Sequence, residues 1–314
     1  MEKKKNDFIA QGSILAIASI LVRVMGMIYR IPMTAIIGDK GNGFYSYAYS
    51  VYTILLLLSS YSLPLAVSKM VSAKAQLGQW RNVKRVFICA IAFAIGIGTT
   101  FGLIVLIGAQ FFTRVFFHSE LAAIALRFMA PTILIMALLG VFRGFFQGLQ
   151  NTLPTAVSQI VEGLINAIMS VVFAYFLFDF GHGMDAAGGT TDLGYAWGAA
   201  GGAIGTGAGA LAGLIFCFIL FVAYRKILAV NISRDKTGTQ QEYGDIFRLM
   251  LSIALPVILS TALYNLIELV DGSLFNNIMA SKGMEDVKDS MWGAYNAKAL
   301  LLVHIPVSIS SAMA

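Results

Sequence analysis

Long apolar runs recur along this sequence, each able to cross the roughly 30 Å of hydrocarbon in a bilayer, a distance that takes about 20 helical residues. Eight of them lie near Phe8 to Ile37, Phe44 to Val67, Val86 to Phe112, Leu121 to Phe142, Leu153 to Phe178, Tyr195 to Tyr224, Leu249 to Met279 and Trp292 to the end. Lipid offers no water to a backbone N–H or C=O, and an open sheet leaves its edges unsatisfied, so each run is predicted to be a helix. With 58% apolar and only 12% charged residues, the 314-residue chain has far more apolar surface than a soluble core can use. The expected fold class is an all-α polytopic membrane protein with about eight transmembrane helices.

Met1 to Lys5, followed by an apolar stretch and Ala16-Ile17-Ala18, imitates a cleavable signal peptide. The run continues past that site for another span length, so it is read as the first helix. Lys and Arg are retained on the cytoplasmic side and fix orientation. One side collects Lys3 to Lys5, Lys69, Lys74, Arg81, Lys84, Arg85, Arg143, Arg225, Lys226, Arg234, Lys236 and Arg248. The other has Lys40, Arg114, Lys282 and Lys288, with Asp179, Asp185 and Asp192 in Gly-rich sequence. A plasma-membrane location with a cytoplasmic N-terminus follows. The net charge of +6 is spread over short loops and forms no patch with interleaved aromatics, which argues against a nucleic-acid partner. Cys89 and Cys217 each lie in an apolar run and form no ligand pair.

The longest connection on the basic side, with Ser233-Arg-Asp-Lys-Thr-Gly-Thr-Gln-Gln-Glu242, divides the chain into a six-helix lobe at 1–232, a linker at 233–248 and the start of a second lobe at 249–314. Gly-x-Tyr at Gly43 and Gly293, and Pro-x-x-x-Ser at Pro64 and Pro306, hint at a repeat with unequal spacing. The sequence stops inside an apolar run at Ala314, as expected of the front portion of a longer transporter.

Charge at membrane depth narrows the chemistry. Arg23 and Arg30 are seven residues apart, about 10 Å along one helix face. A charge at the centre of a span costs about 2.5 to 3.5 kcal/mol on insertion scales, so such residues line a water-filled cavity, pair with a buried acid such as Glu162, or snorkel to the interface. Pro32 is a candidate bend in the same helix. Gln159, Glu162 and Asn166 form a polar stripe, either a cavity wall or a set of interhelical hydrogen bonds. Tyr264, Glu268 and Asp271 share a face on the seventh helix, where two carboxylates suit Na⁺ or a proton, or an ion pair with Lys298 or Arg23. Arg127 and Lys298 are cavity or rim cations.

Gly207-Ala-Gly209-Ala-Leu-Ala212 imitates a dinucleotide fingerprint, but no strand precedes it. Gly201, Gly205, Gly209 and Gly213 form a smooth ridge for close helix packing instead. Asn231-Ile-Ser233 is a glycosylation acceptor only by pattern, His118, His182 and His304 are too far apart to imply a metal site, and no Walker A motif is present. Transport, if driven, uses an ion gradient, with no cofactor beyond Na⁺ or H⁺ coupling.

Several segments together resemble the MurJ/SpoVB/YtgP group of lipid-linked oligosaccharide flippases in the MOP exporter superfamily. They are Arg23-Val-Met-Gly-Met-Ile-Tyr-Arg30, Gly43-Phe-Tyr45, Leu63-Pro-Leu-Ala-Val-Ser-Lys69 with Ala73-Lys-Ala-Gln-Leu-Gly78, and Phe142-Arg-Gly-Phe-Phe-Gln-Gly148 with Pro154-Thr-Ala-Val-Ser-Gln-Ile-Val-Glu162. The resemblance implies fourteen helices in two six-helix lobes plus two more, of which this chain holds the first lobe and about two helices of the second. It implies flipping of undecaprenyl-diphosphate-linked sugars such as lipid II by alternating access. It places Arg23 on a first-helix arginine of the family, Arg30 one position from the second, Lys298 near an eighth-helix arginine, and Asp271 near a Na⁺-ligating position. A headgroup site of Arg23, Arg30, Lys298, Arg127 and Glu162 and an ion site of Asp271 and Glu268 are therefore expected, with the glycolipid and membrane lipids as partners. A diphosphate calls for cations, and guanidinium forks match its geometry.

Two rivals remain at this point. A MATE-type ion-coupled multidrug exporter of the same superfamily would prefer cationic substrates and use Glu162, Glu268 and Asp271. A membrane enzyme acting on polyprenyl phosphates would need clustered acids or a nucleophile at a surface loop, and Asp179, Asp185 and Asp192 are not so clustered.

Overall fold

The computed structural model describes residues 2–188 and 192–300, with the side chains of all these except 2–12, 61, 187, 262–264 and 268. Among them the regular structure is entirely helical: α1 Glu2–Leu56, α2 Leu63–Gln76, α3 Trp80–Phe117, α4 Ala122–Gly148, α5 Leu153–Gly188, α6 Leu193–Ser233, α7 Tyr243–Ser281 and α8 Glu285–Ala294, with π turns at Leu57–Tyr61 and Tyr295–Ala299. Six stretches are long and apolar enough to cross a membrane, from Ser13–Gln76 to Tyr243–Thr261. The first is 64 residues long, about 96 Å if straight, some three times the hydrocarbon thickness. It contains two spans, because the chain leaves helical geometry at Gly38 (φ 63°, ψ −178°). Positive φ is free of Cβ strain only for glycine. Asn42 bridges the break, its Nδ2 donating to the Gly38 carbonyl at 2.9 Å and to Thr34 Oγ1 at 3.1 Å. Pro32 keeps helical backbone, so the bend expected there lies at Gly38 instead.

Seven of the eight expected spans fall within the described residues. The eighth is entered through α8 and its π turn, while 301–314, with His304 and Pro306, lie outside the described residues. Contacts define two ends of the bundle. A proximal end, on the N-terminal side, joins the start of α3 to the segment 234–242. A distal end joins Gly38 to Tyr47, the α3–α4 turn, the start of α6, and α8.

Two glycine ridges set the packing. In lipid no hydrophobic force drives helices together, so dispersion contact and small residues must do so. On α6, a Cβ on Gly201 would strike the Phe173 backbone, on Gly205 the Ser170 backbone and hydroxyl, on Gly209 the Glu162 carbonyl at 2.6 Å, and on Gly213 the Ser158 carbonyl at 3.4 Å. The predicted ridge thus brings α6 into backbone contact with α5. A second ridge on α4 receives α2: Gly140 lies against Pro64, Gly144 meets the Pro64 carbonyl at 2.6 Å, and Gly148 meets Val71 at 2.7 Å. Two glycines of the Phe142–Gly148 motif therefore have a packing reason. Cys89 and Cys217 are buried free thiols.

The connection expected at 233–248 is non-helical over a shorter range, with α7 beginning at Tyr243. It is docked. Asp235 accepts from the Arg81 backbone N–H at 2.9 Å and from Thr237, and these bonds, the Arg81 amide first, hold its carboxyl down at about 2. Buried Asn82 accepts from Gln241 N at 3.0 Å and donates to Thr239 O at 3.1 Å. Arg85 donates to Gln240 and Gln241 and lies over the Tyr243 ring. The acids expected in the distal Gly-rich loop are also placed: α5 continues through it to Gly188, Asp185 caps α6 by accepting from Leu193 and Gly194 N–H at 2.9 Å, and Asp192 pairs with Lys40 at 2.8 Å.

Gly205→Val should separate α5 from α6 at a cost of about 1–3 kcal/mol, the usual range for overpacking. Thermal unfolding of purified protein in detergent checks this, with a lowered midpoint expected and an unchanged one counting against the ridge.

Candidate substrate-binding site

The first arm of α1 carries Arg23 and Arg30 along α5. Val22 and Met25 lie against Gly163, and Ser19 donates to Gln159 Oε1 at 3.5 Å. Arg23 is exposed on this helix and Arg30 is half-buried. Arg30 lines a small, partly open recess with Tyr29, Met33, Asn42, Tyr45, Ser46 and Ala297. Residues from both sides of Gly38 meet there, and Ala297 brings the eighth span to the same place. Among the described residues Arg30 has no ion-pair partner. Apart from Met33 and Ala297, the rest of the recess wall is polar or aromatic. Tyr45 stacks on Tyr49 with ring centroids 5.8 Å apart, and its hydroxyl lies 3.4 Å from Thr206 Oγ1.

The other expected site residues divide. Glu162 is bound by Arg143, whose terminal nitrogen donates to Oε2 at 2.7 Å while its Nε donates to Ser158 Oγ at 2.9 Å. The two side chains are 11% and 23% exposed, so the pair is largely withdrawn from solvent. Arg143, counted from sequence as a loop cation, is a helix residue that neutralises Glu162. Asn166 accepts from Ser170 Oγ at 2.8 Å, so each member of the α5 stripe has a protein partner. Lys298 pairs with Asp39 at 2.7 Å, with side chains 60% and 34% exposed. Among the described residues it is therefore not the partner of Asp271. Arg127 on α4 and Asp271 on α7 are exposed and outside the recess. The side chains of Glu268 and Tyr264 lie outside the described residues, and among the described ones no group of His, Cys, Asp and Glu could hold a metal ion.

Sequence reading missed Arg143, Lys288 and Asp289. Lys288 is buried and donates to the carbonyls of Phe117 at 3.2 Å and His118 at 2.8 Å, closing the C-terminus of α3. An Arg-Gly pair inside an apolar run was the available signal for Arg143. For Asp289 the available signal was its place four residues before Gly293, as Asp39 stands before Gly43, whereas nothing local distinguishes Lys288 from an ordinary loop charge.

Arg143→Ala leaves Glu162 largely buried without a counter-charge and should cost up to about 3 kcal/mol, the low end for breaking a buried pair. The double variant Arg143→Ala/Glu162→Ala should lose less than the single one in the same unfolding measurement.

The family model for polysaccharide biosynthesis proteins matches residues 8–314. The chain is 26% identical over 310 residues to the Bacillus subtilis lipid II flippase MurJ, covering 95% of this chain and 55% of that protein. It is 25% identical over 311 residues to stage V sporulation protein B of the same organism, covering 98% and 56%. It thus spans about half the length of these curated relatives. Among solved structures it resembles an outward-facing multidrug resistance MATE family transporter of the MOP superfamily (TM-score 0.61, 15% identity, 96% of this chain and 62% of that one). A MOP superfamily transporter from Pyrococcus furiosus gives a TM-score of 0.60 at 15% identity, covering 90% and 62%. The structural likenesses show the fold, and the family match shows that this multi-pass membrane chain belongs to the polysaccharide biosynthesis protein family.

Proposed function

We propose that this chain supplies the first lobe, and the opening of the second, of a flippase that moves a polyprenyl-diphosphate-linked sugar precursor from the cytoplasmic to the outer leaflet by alternating access. The observation that carries this reading is Arg30. Among the described residues it is a guanidinium without an acid partner, in a recess built jointly by the first two spans and the eighth. A cation kept unpaired at membrane depth costs insertion energy, and an anionic ligand recovers it. A guanidinium fork also fits two phosphate oxygens at once. Arg23 stands two turns away on the same helix and extends the cationic track. Lys298 is held by Asp39 in an exposed pair, which is weak enough to exchange one carboxylate for a phosphate.

The name of one curated relative, a lipid II flippase, supports a lipid-linked substrate and a transporter. An exporter of cationic drugs needs a free acid at its site, and the one acid of the first lobe expected there, Glu162, is already neutralised by Arg143. The segment at 234–242 acts as the interlobe linker, with the cytoplasmic face on its side and the N-terminus inside. Asp271 with Glu268 is retained as the candidate ion site, completed by helices of the full-length protein.

In full-length protein reconstituted in vesicles, Arg30→Ala should reduce outward exposure of a fluorescent polyprenyl-diphosphate sugar by tenfold or more. That corresponds to losing about 1.4 kcal/mol or more of binding to the phosphate. Arg30→Lys, which keeps the charge but loses the fork, should retain part of the activity. Normal flipping by Arg30→Ala would exclude the recess as the headgroup site.

A further inference from the structure

At the distal end α8 crosses the start of the second arm of α1 with no side chain between the backbones. A Cβ on Gly43 would strike the Asp289 carbonyl, and one on Gly293 would strike the Asp39 carbonyl and lie 2.6 Å from Gly43 N. The contact is reciprocal, and so is the sequence: Asp39-x-x-x-Gly43-x-Tyr45 faces Asp289-x-x-x-Gly293-x-Tyr295. The two carboxyls nevertheless meet different fates. Asp39 is paired with Lys298. In the register that places Asp289 on Asp39, the position matching Lys298 is Ala48, which is fully buried. Asp289 is 9% exposed, and among the described residues its Oδ1, like that of Asp39, is buried without a hydrogen-bond partner.

The groups around Asp289 do not replace the missing cation. Lys288, its chain neighbour, is committed to the Phe117 and His118 carbonyls, and Lys40 to Asp192. Tyr47 on α1 donates its one phenol proton to Asn276 Oδ1 of α7 at 2.9 Å, and the amide is oriented by its own Nδ2 donating to Gly272 O at 2.8 Å. Toward Asp289 the phenol therefore offers a lone pair, which a carboxylic acid can use and a carboxylate cannot. Burial, the largest influence, raises the Asp289 carboxyl above its ordinary value and Asp192 acts the same way, while Lys288, Tyr47 and Lys40 oppose them. The Tyr47 opposition would require its proton to turn away from Asn276, leaving that amide oxygen unpaired in the interior.

We infer that the Asp289 carboxyl is a proton-binding site that latches the distal crossing of α8 on α1, closed when the acid is protonated and released when it ionises. This goes beyond the proposed transport function and rests on it only in taking the crossing as one that opens during alternating access. The sign follows from linkage. The closed form holds the proton more tightly than the open, hydrated form, so acid favours closure and rising pH favours opening, by up to about tenfold in the ratio of the two per pH unit near the midpoint.

The test is a distance measurement in full-length protein in nanodiscs, without substrate. Spin labels are placed at Val115→Cys and Met284→Cys, both exposed at the distal end, in a background lacking Cys89 and Cys217. The short-distance population should fall between about pH 5 and about pH 9 in the parent and stay high throughout in Asp289→Asn, which mimics the acid. Tyr47→Phe, which removes the lone pair, should move the midpoint to lower pH, and it carries the test if the Asn variant does not fold. His118→Gln should leave the response intact. A pH-independent parent, a response that survives Asp289→Asn, an unmoved midpoint in Tyr47→Phe, or a response abolished by His118→Gln would each overturn the latch. Lost flipping alongside an intact pH response would instead count against the transport reading alone.

Discussion

The ion pair of Arg143 and Glu162 decides what the first six spans can do. Hydrocarbon cannot solvate a charge, so each membrane-depth ion must find a protein partner, a ligand or water. By pairing with Glu162 at 2.7 Å, Arg143 neutralises the acid of the α5 polar stripe, while Arg30 lines the recess with no ion-pair partner among the described residues. The same pair ties α4 to α5, next to the point where Glu162's own carbonyl lies against Gly209 of α6. Three helices thus meet at one neutralised site.

Backbone contact is the second device, and it serves rigidity and motion in different places. The ridges of α6 on α5 and of α4 on α2 run for three or four successive turns, so each contact reinforces the next. The distal crossing has a single glycine from each helix. A one-turn contact between polar segments is easier to separate than a four-turn contact between apolar ones. That difference fits rigid bodies in the long ridges and the proposed latch at Gly43 and Gly293.

Much of this was legible in sequence because it follows from period and composition. The apolar runs gave the spans, the four glycines of α6 gave its ridge, and Gly-x-Tyr marked the two helices that prove to cross. The division at Gly38 was legible, because Gly38-Asp-Lys-Gly-Asn-Gly43 separates the first two apolar runs; that helix resumes at once after a single non-helical residue was not. Pro32, the stronger break by propensity, stays helical because its missing N–H is tolerated among neighbouring helices. At the candidate site, Arg30 was singled out from its depth in a span. The partners of the other charges were not, since Arg143 with Glu162, and Lys298 with Asp39, are joined only by the tertiary fold.

The central claim is that an anionic lipid headgroup sits at Arg30, between the first two spans and the eighth. The most direct measurement is photo-crosslinking of a polyprenyl-diphosphate analogue, with its reactive group beside the phosphates, to full-length protein in membranes, followed by peptide mapping. The account predicts labelling concentrated on residues 29–46 and around Ala297, competed by unlabelled diphosphate lipid. Labelling confined to the lipid-facing surfaces of α3 and α6, with none in those two segments, would contradict it.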